Sequence, residues 1–284
     1  MHGEENEKGS ESQHLLDSAT PGSSKAIASA DRRHSRRERE SRFLVKRSED
    51  YQVMDGVFDT PTLMTINDMI DDGIITTVNS HFASGKESKV YLASSADNSW
   101  VALKVYLTVS AEFKRRMQYI AGDPRFQHVK KGSTRNMISV WARKEFHNMK
   151  AAVDAGVSVP EPIAVKHNVL AMRFVGDSGG NASPRLADAE VTLSDYDALV
   201  RQMTILYRKA ELVHADLSEY NVFRPRKGKT VLFDFGSAVS IQHPLSKQFL
   251  VRDVMNVNRF FEKRNVSILD ESTLVTRITG ANQE

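Results

Sequence analysis

Apolar residues recur along the chain with two spacings, one of two residues and one of three to four. Short or alternating apolar runs predict strands, and these lie at 78–82, 89–93, 100–106, 163–166 and 169–175. Helical spacing predicts helices, which begin at Thr60 and Ser110, cover 137–155 and 192–209, extend from His243 to about Lys263, and include a short one after residue 266. Strands come before residue 176 and helices dominate after it, so the pattern indicates an α+β fold.

Residues 213–236 interrupt this pattern with two acidic loops joined by a short predicted hairpin. In the first loop Asp216 is followed five residues later by Asn221, and the second places Asp234 directly after the β-prone run 230–233. Phosphoryl transfer uses one carboxylate to accept the proton of the attacking hydroxyl, and an amide oxygen with a second carboxylate to hold Mg²⁺ against the phosphates. The alternative is a polar turn followed by an aspartate at a strand end. Because both loops and their separation match the kinase signature, the stretch favours phosphoryl transfer.

Lys104 is a single cation within the apolar predicted strand 100–106. A buried lysine is costly unless it pairs with an anion, and Glu145, on the inward face of the helix 137–155, is the candidate partner. In kinases such a pair aligns the lysine that holds the α- and β-phosphates. The alternatives are a lysine that reaches solvent from an edge strand and a glutamate on the helix surface.

Two further stretches fit a nucleotide site. The connection 83–88 contains Gly85, and the backbone N–H groups of such a loop can cover phosphates; taken alone, it is an ordinary hairpin. The strand 169–175 leads into a glycine-rich linker at 176–189, where an adenine ring can bind to the backbone. A plain edge strand is the alternative there.

Composition narrows the classes of function. The 284 residues are 40% hydrophobic, yet no apolar run is long enough to span a membrane, and no secretory signal is apparent. The chain contains no cysteine, which excludes disulfides, cysteine-ligated zinc and thiol catalysis and fits a cytoplasmic location. The formal net charge of +3 permits an RNA partner without requiring one.

We expect three segments: a disordered basic extension over 1–50, a first lobe over 51–175 and a second over 176–284. Residues 31–47 contain eight arginines and lysines against three acidic residues, so this segment is either an arm that binds RNA or a solubilising tail. The basic stretch 122–136 contains glycine and proline and lacks periodicity, which predicts a mobile loop.

Six segments together resemble the RIO atypical protein kinases: SGKESKVY (84–91), ALKVY (102–106), ARKEF (142–146), HADLSEYN (214–221), FDFG (233–236) and RDVMNVNRFF (252–261). The GDPRF sequence at 122–126 is similar to the type-1 subgroup. The resemblance covers about residues 60–265. It implies a reduced bilobal protein-kinase-like fold with a small β-rich N-lobe and a mainly helical C-lobe. It also implies serine/threonine kinase and ATPase activity, and a role in small ribosomal subunit maturation.

The resemblance also implies roles for individual residues, with ATP and Mg²⁺ as cofactors. The catalytic set is Lys104, Glu145, Asp216 as the base and Asp234, and the metal ligands are Asn221 and Asp234. The nucleotide would contact Ser84, Gly85, Lys86, Glu87, Lys104, Met172, Arg173, Val175 and Asn221. Asp234 is in addition a candidate phosphate acceptor during ATP hydrolysis. Arg173 stands where the family often has an acidic residue, which should matter little if only the backbone binds adenine.

Two rival functions remain open on the sequence. A small-molecule phosphotransferase shares the spacing of Asp216, Asn221 and Asp234, although the loop at 84–88 and the basic insertion speak against it. A nucleotide-gated ribosome-binding module would use ATP only to time its docking and release. Besides ATP, the expected partner is a precursor of the small ribosomal subunit, with its RNA and protein, and no membrane. The oligomeric state is not predicted.

Overall fold

The computed structural model of the chain describes residues 58–107, 116–126, 132–226 and 228–280. The expected disordered extension over 1–50 lies outside the described residues. So does most of the helix predicted to begin at Ser110.

A five-stranded antiparallel sheet forms the first lobe. Its strands are β1 (Thr77–Ser84), β2 (Ser88–Ser94), β3 (Trp100–Tyr106), β4 (Pro162–Lys166) and β5 (Val169–Arg173). They lie in the order β1-β2-β3-β5-β4, so β3 is central, and its residues after Trp100 are all buried. Lys104 is opposite Val90 of β2 and Leu170 of β5. It therefore lies inside the sheet and not on an edge strand.

The first helix of this lobe, α1, spans Thr60–Asp71. Its N-terminus is capped by Asp59, whose side chain accepts a hydrogen bond from the N–H of Thr62, and Pro61 occupies the first turn, where its missing N–H costs nothing. The cap agrees with the predicted start of this helix at Thr60.

The second helix, α2, spans Thr134–Ala155 and packs against β4 and β5. It begins before the predicted residue 137 because Ser133 caps it: the Ser133 Oγ accepts the N–H of Asn136 at 3.4 Å. It ends at Gly156, whose φ of 90° is the left-handed conformation that favours glycine at a helix C-terminus.

The second lobe is mainly helical. Its helices are α3 (Leu193–Arg208), α4 (Ser246–Glu262) and α5 (Glu271–Thr279), and their apolar faces share one core. The helix α4 begins later than predicted because the Nδ1 of His243 accepts the N–H of Leu245 at 3.1 Å, which keeps this stretch in a turn. No helix in the described ranges is long and apolar enough to cross a bilayer.

Two pairs of very short strands bring the acidic loops together. They are β6 (Leu212–Val213) with β9 (Val239–Ser240), and β7 (Val222–Phe223) with β8 (Val231–Leu232). The loop 214–221 joins β6 to β7, and the loop 233–238 joins β8 to β9. Because the flanking strands pair, the two loops must lie side by side.

The described part of the insertion before α2, residues 116–126, is more ordered than the sequence suggested. Two 3-10 turns cover Met117–Tyr119 and Pro124–Phe126, where we expected the end of an α-helix followed by an irregular loop. Asp123 is fully buried, and it binds Arg125 and the N–H of Ser240. Local periodicity could not predict this order, because the hydrogen bond from Ser240 to Asp123 joins residues that are far apart in the chain.

Candidate active site

Lys104 lies at the centre of the site. Its Nζ donates to both carboxylate oxygens of Glu145, at 2.8 and 2.9 Å, and to the Oδ1 of Asp234 at 2.8 Å. The strand β3 positions Lys104, α2 positions Glu145, and the loop after β8 positions Asp234. An ammonium group has three N–H donors, so all of them are used. The ion pair predicted between Lys104 and Glu145 is therefore present, and it includes a second carboxylate.

The charges of this cluster shift one another. Burial lowers the pKa of Lys104, but the carboxylates of Asp234 and Glu145 outweigh it and hold that pKa above its ordinary value. Burial raises the pKa of Glu145 to about 7, against the opposing effect of Lys104. Desolvation raises the pKa of Asp234, but the positive charge of Lys104 lowers it by a larger amount. The pKa of Asp234 is therefore below its ordinary value. Two carboxylates share one lysine, and the cluster carries an excess negative charge when both are ionised.

Asp234 presents its carboxylate to the cleft in a constrained conformation. Its side chain is 45% exposed, although one oxygen is bound to Lys104. Its φ is 66°, which is unfavourable for a residue with a Cβ and persists only where the surroundings hold it. The geometry leaves the second carboxylate oxygen available to a ligand in the cleft.

The loop 214–221 is held by α4. The carboxylate of Asp253 accepts the N–H of Ala215 at 2.7 Å and that of Leu217 at 2.9 Å, so it grips the backbone on both sides of Asp216. Burial raises the pKa of Asp253 to about 7. Arg252 donates to the carbonyl of Ala215. The sequence reasoning did not assign these two residues, although an acidic residue on the buried face of a helix was a signal that could have pointed to Asp253.

Asp216 lies at the edge of the cleft. The residue is exposed, yet partial loss of hydration and the negative charge of Asp234 raise the pKa of its carboxyl to about 6. A carboxylate with such a pKa is ionised at neutral pH but basic enough to accept a proton. These properties suit a general base.

The side chain of Asn221 is fixed by a hydrogen bond to the loop backbone. Its Nδ2 donates to the backbone carbonyl of Asp216 at 2.8 Å, so the side-chain oxygen is directed away from that bond. No group of three or more histidine, cysteine or acidic side chains is placed to hold a metal ion in the described parts of the chain. Mg²⁺ is typically held by one or two carboxylates with water and phosphate oxygens. One amide oxygen and the free oxygen of Asp234 fit that donor set.

A cavity of about 250 Å³ lies between the two lobes. Of the residues predicted to bind nucleotide or metal, eight line it: Ser84, Gly85, Lys104, Met172, Arg173, Val175, Asn221 and Asp234. Glu145 is also part of its wall, whereas Lys86, Glu87 and Asp216 are not. Aromatic residues not predicted for the site, Phe82, Phe174 and Tyr220 among them, complete the lining. Apolar walls with a charged end suit a base and its phosphates.

At the tip of the loop between β1 and β2, Lys86 and Glu87 lie outside the cavity lining. Lys86 is exposed, and Glu87 forms an ion pair with Arg116. The Arg116 guanidinium lies over the rings of Tyr106 and Trp141, at 5.8 and 4.8 Å from their centroids. Burial lowers the pKa of Arg116 to about 10, against the opposing charge of Asp234. Glu87 therefore binds Arg116 and does not line the cavity. Arg116 is a residue that the sequence did not single out.

The strand that leads out of the first lobe places Val175 beside the cavity. The N–H of Arg173 donates to the carbonyl of Glu161 at 2.8 Å, and its side chain contacts Ser99 and Glu161. The carbonyl of Val175 accepts the N–H of Ser183. The N–H of Val175 makes no hydrogen bond within the described ranges, and it is the backbone donor best suited to a base.

Comparison with known proteins agrees with this geometry. The family model described as "RIO domain" matches residues 89–274. The chain belongs to the RIO domain family. This RIO chain is 38% identical over 247 residues to serine/threonine-protein kinase rio1 of Schizosaccharomyces pombe and 37% identical over 262 residues to RIO-type serine/threonine-protein kinase Rio1 of Haloferax volcanii. The resemblance stated from the sequence is confirmed.

The extent of these matches differs between relatives. The alignment covers 85% of the RIO chain but about half (50%) of the S. pombe relative, and 90% of the chain with 88% of the H. volcanii relative. Among solved structures, the Rio2 kinase–ADP/Mg²⁺–phosphoaspartate complex from Chaetomium thermophilum superimposes with a TM-score of 0.58 at 22% identity, covering 78% of the RIO chain and 67% of that one. This likeness confirms the bilobal α+β kinase-like fold.

Proposed function

We propose that this RIO-family chain is an ATP-dependent serine/threonine protein kinase that also hydrolyses ATP. The observation that carries the proposal is the bond of Lys104 to both Glu145 and Asp234 at the end of an apolar cavity. An apolar pocket that ends in a lysine, two carboxylates and an amide oxygen is suited to a nucleoside triphosphate. The names of its Rio1 relatives support the same activity.

Lys104 is proposed to bind phosphate oxygens, and Glu145 to aim it. Both oxygens of Glu145 are bound to the ammonium, so the lysine cannot swing away from the cleft. The third donor, which points at Asp234, is the one that can be exchanged for a phosphate. The exchange would release the carboxylate of Asp234 to a metal ion.

Asn221 and Asp234 would hold the metal, since one offers a free amide oxygen and the other a partly exposed carboxylate. Mg²⁺ at this position supplies positive charge against the developing charge of the transferring phosphoryl group. Asp216 would accept the proton of the incoming hydroxyl, and Asp253 keeps its backbone in place on both sides. The expected nucleophile is a serine hydroxyl.

A second acceptor deserves the same test, because Asp234 itself lies in the cavity with one oxygen free of Lys104. Attack of that oxygen on a terminal phosphate would form an acyl phosphate with loss of ADP, and water would then resolve it. The Rio2 structure named above contains a phosphoaspartate, which supports this route for a protein of the same fold.

The cellular role is proposed by family resemblance alone. We propose that the chain acts in the cytoplasm on precursors of the small ribosomal subunit. Its net charge of +3 is compatible with an RNA-containing partner. If catalysis serves as a timer for release from such particles, the ATPase reaction is the relevant one.

One assay separates these readings. Wild type, Asp216→Asn, Asp234→Asn and the surface control Asp154→Asn are incubated with [γ-³²P]ATP and Mg²⁺, with and without a generic serine-containing protein substrate. We expect labelled substrate and acid-labile, hydroxylamine-sensitive label on the protein in wild type and control, with both labels absent in Asp234→Asn. Equal labelling in Asp234→Asn and the control would refute the proposal, and rapid labelling of a sugar, choline or aminoglycoside instead would favour a small-molecule phosphotransferase.

A further inference from the structure

The helix α2 binds more than Lys104. Directly before Glu145, the ammonium of Lys144 donates to the backbone carbonyl of Gly236 at 2.8 Å and to that of Ala238. One turn later the Nδ2 of Asn148 donates to the carbonyls of Phe235 and Ala238, both at 2.9 Å. The backbone N–H of Phe235 also lies near the Glu145 carboxylate and favours its ionised form, which lowers its pKa. One face of one helix therefore holds the backbone that immediately follows Asp234.

The insertion before α2 extends this contact. The Nη1 of Arg125 donates to the Oδ1 of Asn148 at 2.7 Å, which orients the amide so that its N–H₂ faces the carbonyls. Arg125 in turn forms a two-pronged ion pair with Asp123, at 2.7 and 2.9 Å. The Oδ2 of Asp123, which binds Arg125, also accepts the N–H of Ser240 at 3.3 Å. The network thus reaches the backbone of the same segment at both of its ends.

The burial of these groups shows that the network is not incidental. Lys144, Asn148 and Asp123 are each 0% exposed. A buried ammonium or amide is costly unless its donors are satisfied, and here most partners are backbone carbonyls of one short segment. Unlike Lys104, Lys144 has no carboxylate of the described residues in contact with its ammonium, and burial lowers the pKa of Lys144 to about 7.

Packing reinforces the hydrogen bonds at Gly236. A Cβ added to this glycine would lie 2.8 Å from the Nε1 of Trp141 on α2. The backbone therefore approaches the helix more closely than any other residue would permit. A side chain at this position would push the segment away from Lys144.

We propose that Lys144 and Asn148 are positioning residues: they lock the segment 235–240 onto α2 and so hold Asp234 in its strained, metal-binding conformation. Because Glu145 belongs to the same helix, the lysine and the aspartate of the site are set by one rigid element. The metal part of the inference rests on the proposed function, whereas the locking of the segment does not.

The lock predicts a specific defect. Without it, Asp234 is in its binding-competent conformation for only a fraction of the time, and apparent metal affinity falls by that fraction. For Lys144→Met, and more mildly for Asn148→Leu, we expect the Mg²⁺ concentration for half-maximal activity to rise about tenfold or more. Saturating Mg²⁺ should restore the turnover to within about threefold, because the ion selects the competent conformation. Binding of ADP without a divalent ion should change less than about twofold.

Hydrogen exchange provides a readout that needs no activity. In the free protein, the exchange rate of peptides covering 235–240 should rise about tenfold in Lys144→Met and Asn148→Leu, while peptides of α3 keep their wild-type rate. Lys150→Met is the matched control, since Lys150 lies on the same helix and its ion-pair partner among the described residues is the exposed Asp154 at 3.8 Å. Gly236→Ala should reproduce the exchange phenotype by steric displacement.

The outcomes are separable. If Lys144→Met does not fold, Asn148→Leu and Gly236→Ala carry the test. Unchanged exchange over 235–240 in folded variants would overturn the inference, as would a loss of turnover that saturating Mg²⁺ does not relieve. If wild type shows no phosphoryl transfer, the proposed function fails, and the exchange result then decides the lock by itself.

Discussion

Replacement of Lys104 by methionine tests the charge cluster most directly. Glu145 is 1% exposed, and the Lys104 side chain is 9% exposed. Removal of one partner from a buried ion pair costs about 3–5 kcal/mol, because the other charge is left in a medium that cannot solvate it. In Lys104→Met the carboxyl of Glu145 should therefore become protonated in the folded protein.

The cost of that protonation can be worked out. The ordinary pKa of Glu145 is 4.5, and burial raises it in the folded state while Lys104 opposes the rise. Without Lys104 the folded pKa lies still higher, so the unfolded chain releases the proton first and stability is lost as pH rises above 4.5. At about 1.36 kcal/mol per pH unit, a folded pKa above the assay range makes the penalty about 3 kcal/mol larger at pH 7.5 than at pH 5.5.

The double variant Lys104→Met/Glu145→Gln has no titratable carboxyl at position 145. Glutamine keeps an oxygen that can lie near the N–H of Phe235, as the Glu145 carboxylate does, but it carries no charge. Urea unfolding at pH 5.5 and 7.5 should show the single variant losing stability relative to the double by about 2–3 kcal/mol between the two pH values. The surface variant Lys150→Met serves as control.

Both variants should lack phosphoryl transfer, since neither retains the cation proposed to bind phosphate. If the single and double variants unfold at the same urea concentration at both pH values, Glu145 does not depend on the charge of Lys104. The reasoning about the cluster would then be wrong.

Three further predictions concern the proposed base Asp216, Arg173 at the end of β5, and Asp253, which binds the loop 214–221. Asp216→Asn should lower turnover about 10²–10⁴-fold with ATP affinity nearly unchanged. The pKa of Asp216 is raised to about 6, and the base must be ionised to accept a proton, so the wild-type rate should fall below pH 6. A flat pH–rate profile would count against this role. Arg173→Ala should leave ATP affinity within about twofold by calorimetry, since the guanidinium of Arg173 is bound to Ser99 and Glu161; a tenfold loss would show that the side chain binds nucleotide. Asp253→Ala leaves two buried N–H groups unsatisfied and should cost about 2–5 kcal/mol in urea unfolding, whereas an unchanged midpoint would show that α4 does not hold the loop.

Local pattern was sufficient for most of the regular structure. The helix α1 and the strands around Lys104 were predicted because their apolar spacing and their caps are properties of neighbouring residues. Lys104 could be singled out because a cation within a continuous apolar run needs an anion. The helix starts at Ser133 and Leu245 were missed by a few residues, since a single side-chain hydrogen bond decided each boundary.

The insertion at 116–126 shows where this approach fails. Residues 122–126 were predicted to belong to a mobile loop over 122–136, yet Asp123 is buried, and its partners include Ser240, which is 117 residues away in the chain. At the tip of the loop 84–88, Glu87 forms an ion pair with Arg116 and does not line the cavity, so its contact with nucleotide stays a prediction. Neither pairing has a local signature.

The order of Lys104, Asp216, Asn221 and Asp234 along the chain predicts phosphoryl transfer, because these are residue types that this chemistry needs. The contacts that hold these groups are visible in the folded chain alone. Lys144 differs in no local way from an exposed lysine such as Lys150, yet its donors end on carbonyls 92 and 94 residues further along the chain. Backbone carbonyls are the same in every residue, so the partners of a buried donor are set by the path of the folded chain and leave no mark in the sequence.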